Sequence, residues 1–441
     1  VSTLALLGGT PVRTHPFPAY RVIGASEIEA VTKVLESGIL SRFLGTWHED
    51  FFGGPQVQAF ESEWAACFQA HHAVTVNSNT SGLYCAIGAA GVGPGDEVIV
   101  SPYTMSASAI APVVFNAVPV FADIDPVGYG LDIASIRARI TPRTKAILAV
   151  HIFGQAADMD PIMELAAEHG LTVIEDCAQA PFATYKGRPV GTIGHMGVFS
   201  LNYHKHIHTG EGGVVVTNDE RFAERVQLIR NHAEAVVERK GVQDIVNMIG
   251  FNFRLGEMEA AIGRHQLAKG PELIAARQAN VQALEAQLAG VPGLSMPTVL
   301  PGNTHVYYLH TLRYDAAATG VSRATFVKAL KAELPHSELR DAEGPLIGEG
   351  YVRPLYLQPI YQRKIAYGTR GCPFTCGHHG GTVDYSPGIC PNAEEAHATV
   401  ITHELMRPPM TAEDIADVAR AFHKVAENLE ALRDLDAKAS A

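Results

Sequence analysis

The chain has 441 residues, 47% of them hydrophobic, so it is long enough to bury a large core and lies far from disordered or collagen-like compositions. Its 34 Lys and Arg stand against 46 Asp and Glu, a formal charge of −12, and no segment clusters the basic residues a phosphate backbone requires, which argues against nucleic acid as a partner. No apolar run is long enough to cross a bilayer, Val1 to Arg13 lacks a leader pattern, and six cysteines are too few for a disulfide scaffold; the expectation is a cytoplasmic protein without membrane contact.

Three units are expected: an N-terminal arm over 1–25, a large α/β domain over 26–290 and a small α+β domain over 291–441. Ser26 with Glu29 reads as a capping box, and Ser41 to Gly54, with Trp47, Phe51 and Phe52, reads equally as a substrate entrance or a packed surface loop. Val57, Phe60, Trp64 and Phe68 recur on one helical face. Apolar runs at Ala73–Asn77, Glu97–Ser101, Lys145–His151 and Leu171–Glu175 alternate with helical stretches, the βαβ rhythm of a mostly parallel sheet covered on both faces. Gly93 to Asp96 makes a turn before a strand, and Gly170 ends the helix that begins near Asp158. A helical run from Gly256 to Leu288 stops at Val291-Pro292-Gly293, a junction. Beyond it come a strand over His305–Tyr314, a helix over Ser322–Leu334, an irregular loop over Gly368–Pro391, and a final helix capped by Thr411 and Asp414 that reaches toward Leu435.

Three segments carry chemistry. Asn77 to Gly82 is small and polar between a strand and a helix, a natural cradle for an anion, although the same residues are ordinary N-caps. Val173 to Glu175 is a β-branched strand ending at Asp176, where open α/β sheets bind ligands; the plain alternative is an Asp capping the next helix. Lys205 precedes the turn Gly210-Glu211-Gly212-Gly213 and is held by the sheet; a lysine so restrained suits a Schiff base, whereas taken alone it reads as a solvated surface residue.

As an ordered set these segments resemble the DegT/StrS-type sugar aminotransferases, fold-type-I pyridoxal-phosphate enzymes. The likeness runs through Val76 to Thr80, Glu175 to Ala180, Tyr185 to Arg188, Phe199 through Lys205 to Gly213, and Gly250 to Gly263. The resemblance implies a mostly parallel seven-stranded sheet sandwiched by helices, with a smaller α+β domain. It implies Lys205 as Schiff-base lysine, Asp176 as partner of the pyridinium nitrogen, and Gln179 beside the ring. Asn79, Thr80 and Ser200 would hold the phosphate, and Asn252 would reach the phosphate of a neighbouring subunit, hence a homodimer with shared active sites. The family usually has Gly where Asn79 stands and an aromatic residue stacked on the ring where Met105 stands.

The implied activity is transamination from glutamate or glutamine to a nucleotide-linked ketosugar or a ketocyclitol, with pyridoxal phosphate cycling through pyridoxamine phosphate. The alternatives are a sugar dehydratase on the same cofactor or a catalytically silent regulatory homologue. No metal is expected. His204, His206 and His208 would share one face of a strand, and Cys372, Cys376, His378 and Cys390 read as ordinary loop residues before a zinc site.

Overall fold

Runs such as Val98-Ile99-Val100 and Val173-Ile174 have no polar alternation, so both of their faces must be covered. In the computed structural model, which describes residues 2–439, they lie in the middle of one seven-stranded sheet. Its strands are β1 (His72–Val76), β2 (Glu97–Val100), β3 (Val118–Phe121), β4 (Thr144–Val150), β5 (Thr172–Asp176), β6 (Met196–Ser200) and β7 (Gly213–Thr217). The order is β1-β7-β6-β5-β4-β2-β3. All neighbouring pairs from β6 to β3 are parallel, and β7 runs antiparallel to both β6 and β1.

Successive residues of the central strands feed opposite cores. Val98 and Ile174 pack with Leu83 and Ile229, from the helices Asn79–Ala89 and Glu220–Arg230. Ile99 and Val173 pack on the other face with Trp64, Leu165 and Leu267. There the stripe of the helix Pro55–Phe68 is fully inside: Trp64 stacks on Phe68 with centroids 4.8 Å apart and meets Phe199 of β6 edge-on at 5.3 Å.

A second, antiparallel sheet follows, built from β8 (Leu294–Ser295), β9 (His310–Tyr314), β10 (Ile347–Glu349) and β11 (Val400–His403) in the order β8-β9-β11-β10. Leu312, Phe326, Ile401 and Phe422 form its core, which Leu4 and Phe17 join from the start of the chain. Arg13 fixes that early segment through Asp414 at 2.6 Å and Asp417 at 3.0 Å. The 32-residue helix Glu257–Leu288, roughly 48 Å long by its rise per residue, gives Leu267 and Ile274 to one core and Leu284 and Leu288 to the other.

Several expectations shift in detail. The first helix is Ala25–Ser37, and its reciprocal carboxylate is Glu27, not Glu29: Gly24 N–H donates to Glu27 Oε2 at 2.8 Å. Glu27 faces the long helix, where Lys269 and Gln266 reach it, whereas Glu29 points to solvent and pairs with Lys33. The strand expected over His305–Tyr314 begins at His310, because residues 305–309 instead run beside the large sheet, with Tyr308 N–H on Phe153 O at 2.7 Å. The final helix is two helices, Ala412–Glu427 and Leu429–Ala439, interrupted at Asn428; Thr411 and Asp414 cap the first reciprocally. The histidines 204, 206 and 208 do not share a strand face, since 203–207 is a chain of turns. Ser41–Gly54 is a packed segment with a short 3-10 helix over Glu49–Phe52, Phe51 fully buried, and Asn231 donating to Leu44 O.

Candidate active site

The C-terminal ends of β1, β5 and β6 open on one side of the sheet, where parallel strands leave a crevice. A cavity of about 340 Å³ sits there, and Asn79, Thr80, Met105, Asp176, Gln179, Ser200 and Lys205 all line it. Asn252 does not: it is exposed elsewhere on the chain, with Oδ1 accepting from Arg254 Nε at 2.7 Å.

Of the acidic pair ending β5, only Asp176 reaches the cavity. Its Oδ2 accepts from Ser108 Oγ at 2.8 Å, and its Oδ1 from Ala178 N–H at 3.1 Å and Asn79 Nδ2 at 3.3 Å. Glu175 points the other way and is wholly buried, accepting from the N–H groups of Gly191, Ile193 and Gly194 and from His151 Nε2. The alternation of a strand puts one carboxylate into structure and the next into the cavity.

Ser78 caps the helix Asn79–Ala89 by accepting from Ser81 N–H at 3.1 Å. That leaves the amides of Asn79 and Thr80, at the first two helical positions, without an intrahelical acceptor and at the positive end of the helix dipole. Gly213 of β7 permits this approach: a Cβ there would stand 2.7 Å from the carbonyl carbon of Ser78 and 2.8 Å from Asn79 N. The side chain of Asn79 turns to Asp176, so the part of it directed at an anion is its backbone amide; its buried Oδ1 has no partner.

Lys205 follows a turn closed by its own N–H on Asn202 O at 2.8 Å, and its Nζ stands 4.1 Å from the ring centroid of Tyr308. Gln179 is fixed from both ends: Oε1 accepts from Phe153 N–H at 2.7 Å, with Phe153 in the left-handed region at φ 60°, and Nε2 donates to Tyr351 Oη at 2.9 Å. Met105 is 55% exposed at the rim. His204 also lines the cavity; burial, then the charge of Arg340, lowers its pKa and keeps it neutral. His206 is buried and its pKa is pushed well below the usual imidazole range, by burial and then by Arg277; it anchors the turn through Val306 O at 2.9 Å.

Ser108, Tyr308 and Tyr351 were not singled out by sequence. Tyr308 lay inside an aromatic run that read as strand, and Tyr351 and Ser108 have no local signature, because each is defined only by the partner it meets across the fold. The Cys/His segment does not assemble. Cys372 and Cys376 interact with each other, Cys390 is buried before the helix Pro391–Thr399 with its thiol pushed up to about 12 by burial, and His379 lies on Glu97 at 2.7 Å. Among the described residues the group spaced to hold a metal is His151, Glu175 and Cys177, and the His151 nitrogens and Glu175 oxygens are already engaged in hydrogen bonds. No helix among the described residues is long and apolar enough to cross a membrane.

Comparison with known proteins places these features in company. The model of the DegT/DnrJ/EryC1/StrS aminotransferase family matches residues 22–383. The chain is 34% identical over 426 residues to the spore coat polysaccharide biosynthesis protein SpsC of Bacillus subtilis, covering 95% of this chain and 99% of that protein. It is 34% identical over 433 residues to the L-glutamine:2-deoxy-scyllo-inosose aminotransferase of Streptomyces lividus, covering 96% and 97%. Among solved structures, DesI in the presence of its TDP-sugar product superposes with a TM-score of 0.80 at 27% identity, over 99% of both chains.

Proposed function

Since the chain belongs to the DegT/DnrJ/EryC1/StrS aminotransferase family, we propose that it moves an amino group from glutamate or glutamine onto a nucleotide-linked ketosugar or a ketocyclitol, with pyridoxal phosphate held in the 340 Å³ cavity. The observation that carries this reading is that Lys205, the Asp176 carboxylate and the start of the helix Asn79–Ala89 all face that one space. The donor set suits the cofactor. Asp176 is an acceptor with lone pairs to spare for a protonated ring nitrogen, and the two open amides with Ser200 Oγ suit a phosphate.

When bound, pyridoxal phosphate supplies the electron sink that stabilises a carbanion at the donor's Cα. Lys205 Nζ takes the proton from that carbon in the first half-reaction and returns one to the acceptor carbon in the second, so one amine serves as base and then as acid. Asp176 holds the proton on the ring nitrogen, and Ser108 and Ala178 N–H keep its carboxylate in place. Gln179, clamped between Phe153 and Tyr351, has little rotamer freedom and orients the ring from the side. Tyr308 lays its ring against the lysine and shields it from water on that side. The exposure of Asn252 is what a residue completing the phosphate site of a second copy requires, which supports a homodimer with shared sites.

The first test is the absorption spectrum of the purified protein with added cofactor. A visible band that bleaches with glutamate or glutamine supports the reading, and Lys205→Ala should lose the band. A band unchanged by both donors, or unchanged in Lys205→Ala, refutes it.

A further inference from the structure

The cavity of about 340 Å³ adjoins another of about 270 Å³, and Tyr308 and Tyr351 line both. The reaction scheme above assigns Lys205 the proton on carbon. It leaves the oxygen of the reacting carbonyl without a partner, although that oxygen must depart as water each time nitrogen takes its place.

The backbone brings Tyr351 to this seam. Gly350, just after β10, has φ 78°, a value that favours glycine, and a Cβ there would stand 2.8 Å from His397 O. Gly350 N–H donates to Val400 O at 2.7 Å and its carbonyl accepts from Thr402 Oγ1 at 2.8 Å, so β11 holds the residue before the tyrosine. Tyr351 N–H donates to Tyr103 Oη at 3.1 Å, and the Tyr351 ring meets Phe153 edge-on with centroids 5.4 Å apart.

Gln179 then aims the hydroxyl. A backbone N–H can only donate, so the bond from Phe153 N–H fixes which end of the amide is oxygen and turns the NH2 toward Tyr351. Tyr351 Oη therefore accepts from Gln179 Nε2 at 2.9 Å, and its own proton is left for another acceptor. The nearby carboxylate of Asp176 is already served by Ser108, Ala178 N–H and Asn79. Burial, then the neighbouring Tyr308 and Asp176, pushes the phenol pKa well up, which keeps the group a neutral donor. Neighbouring groups are otherwise occupied: Arg340, the guanidinium of the adjoining cavity, donates to Glu343 and Glu404, and Tyr308 meets Lys205 with its ring.

We infer that Tyr351 is a catalytic residue of the exchange, its O–H donating to the carbonyl oxygen of the oxo acid or ring ketone at the carbon where nitrogen replaces oxygen. The inference rests on the aminotransferase reading. In that step the carbon–oxygen bonds break as carbon–nitrogen bonds form, the oxygen leaves as water with the two hydrogens of the incoming amine, and no electrons are exchanged. The phenol stabilises the negative charge that builds on the oxygen and ends the step with its proton.

The test separates oxygen from carbon. Bleaching of the visible band of the pyridoxal form by glutamate or glutamine needs the Cα proton removed but no carbonyl oxygen. Return of the band when the pyridoxamine form meets the matching oxo acid, 2-oxoglutarate or 2-oxoglutaramate, needs that oxygen to leave first. In stopped-flow on the holoenzyme, Tyr351→Phe should slow the return about a hundredfold and change the bleaching by less than about twofold. Equal slowing of both, as loss of the hold on Gln179 alone would give, or a return as fast as in the wild type, overturns the inference. Calorimetric titration of the pyridoxal form, which has no amine to exchange, supplies a readout free of turnover: Tyr351→Phe should bind the oxo acid about fivefold more weakly, and an unchanged affinity would overturn the assignment. A wild-type band that never bleaches with either donor overturns the aminotransferase reading itself, and the inference with it.

Discussion

Glu175 is the residue whose replacement by glutamine tests the architecture behind the cavity most sharply. Its carboxylate is fully buried and takes four donors: Ile193 N–H at 2.8 Å and Gly194 N–H at 2.6 Å on Oε1, Gly191 N–H and His151 Nε2 at 2.8 Å each on Oε2. The imidazole is a donor there because its Nδ1 already accepts from Ala157 N–H at 3.1 Å, which places the ring proton on Nε2. Glutamine offers an oxygen to one pair of donors and an NH2 to the other, so either orientation sets two buried donors against donors. Each costs about 1–3 kcal/mol, and neutralising a buried carboxylate returns part of that, leaving a net loss of about 2–4 kcal/mol. The unfolding entropy of a chain of this length is roughly 0.9 kcal/mol/K, so the melting temperature in scanning calorimetry should fall by about 2–4 °C. The backbone N–H of His151 also holds the backbone carbonyl of Asp176 at 3.1 Å, so a shift of His151 is passed to Asp176 and cofactor retention should fall with it. A decrease below about 1 °C with cofactor fully retained would refute this account of the Glu175 site.

Tyr308→Phe should retain the contact with Lys205 Nζ and the wild-type rate of the donor half-reaction, while Tyr308→Leu should slow it about tenfold in stopped-flow, given the 1–2 kcal/mol of a shielded cation–π contact; equal rates in the two variants would count against the ring's role. Gly213→Ala forces β7 off the start of the helix Asn79–Ala89, and equilibrium dialysis should show weakened cofactor binding, with about 1–3 kcal/mol lost in stability. At Glu27, burial alone would raise the pKa, but the ammonium of Lys269, then Gln266 and Gly24 N–H, bring it down to about 2. A carboxylate held below its unfolded value stabilises the fold above pH ~4.5 and loses that contribution as pH falls toward 2, on the order of 2–3 kcal/mol in all. Lys269→Met should therefore move the acid-unfolding midpoint, followed by circular dichroism, to higher pH.

What sequence disclosed was the local and the periodic. The apolar runs of β2, β4 and β5 appear as strands within one or two residues, and Val57, Phe60, Trp64 and Phe68 are all buried. Seven of the eight residues expected around the cofactor line a single cavity, because Asn79 and Thr80 open a helix, Asp176 and Ser200 end strands, and the others lie within a few residues of such ends. The segment 305–309 was misread since its aromatic, β-branched composition suits a strand, while its real partners, Phe153 and Gly154, are some 150 residues away in sequence. The pairing of Arg340 with Glu404 spans 64 residues and leaves no periodic trace. Glu27 displaced Glu29 in the cap because the long helix, over 200 residues later, supplies a lysine on that side.

Tyr308 and Tyr351 reach the cavity from the C-terminal third of the chain, whereas Lys205 and Asp176 stand on the first sheet. Under the proposed reading, the lysine that moves the proton and the wall that encloses it are thus written in separate stretches of the gene. Such a division lets the wall vary while the groups on the first sheet stay constant. It also means that a ribosome must pass residue 351 before the nascent sheet, already carrying its lysine, acquires the wall that makes a chamber of it.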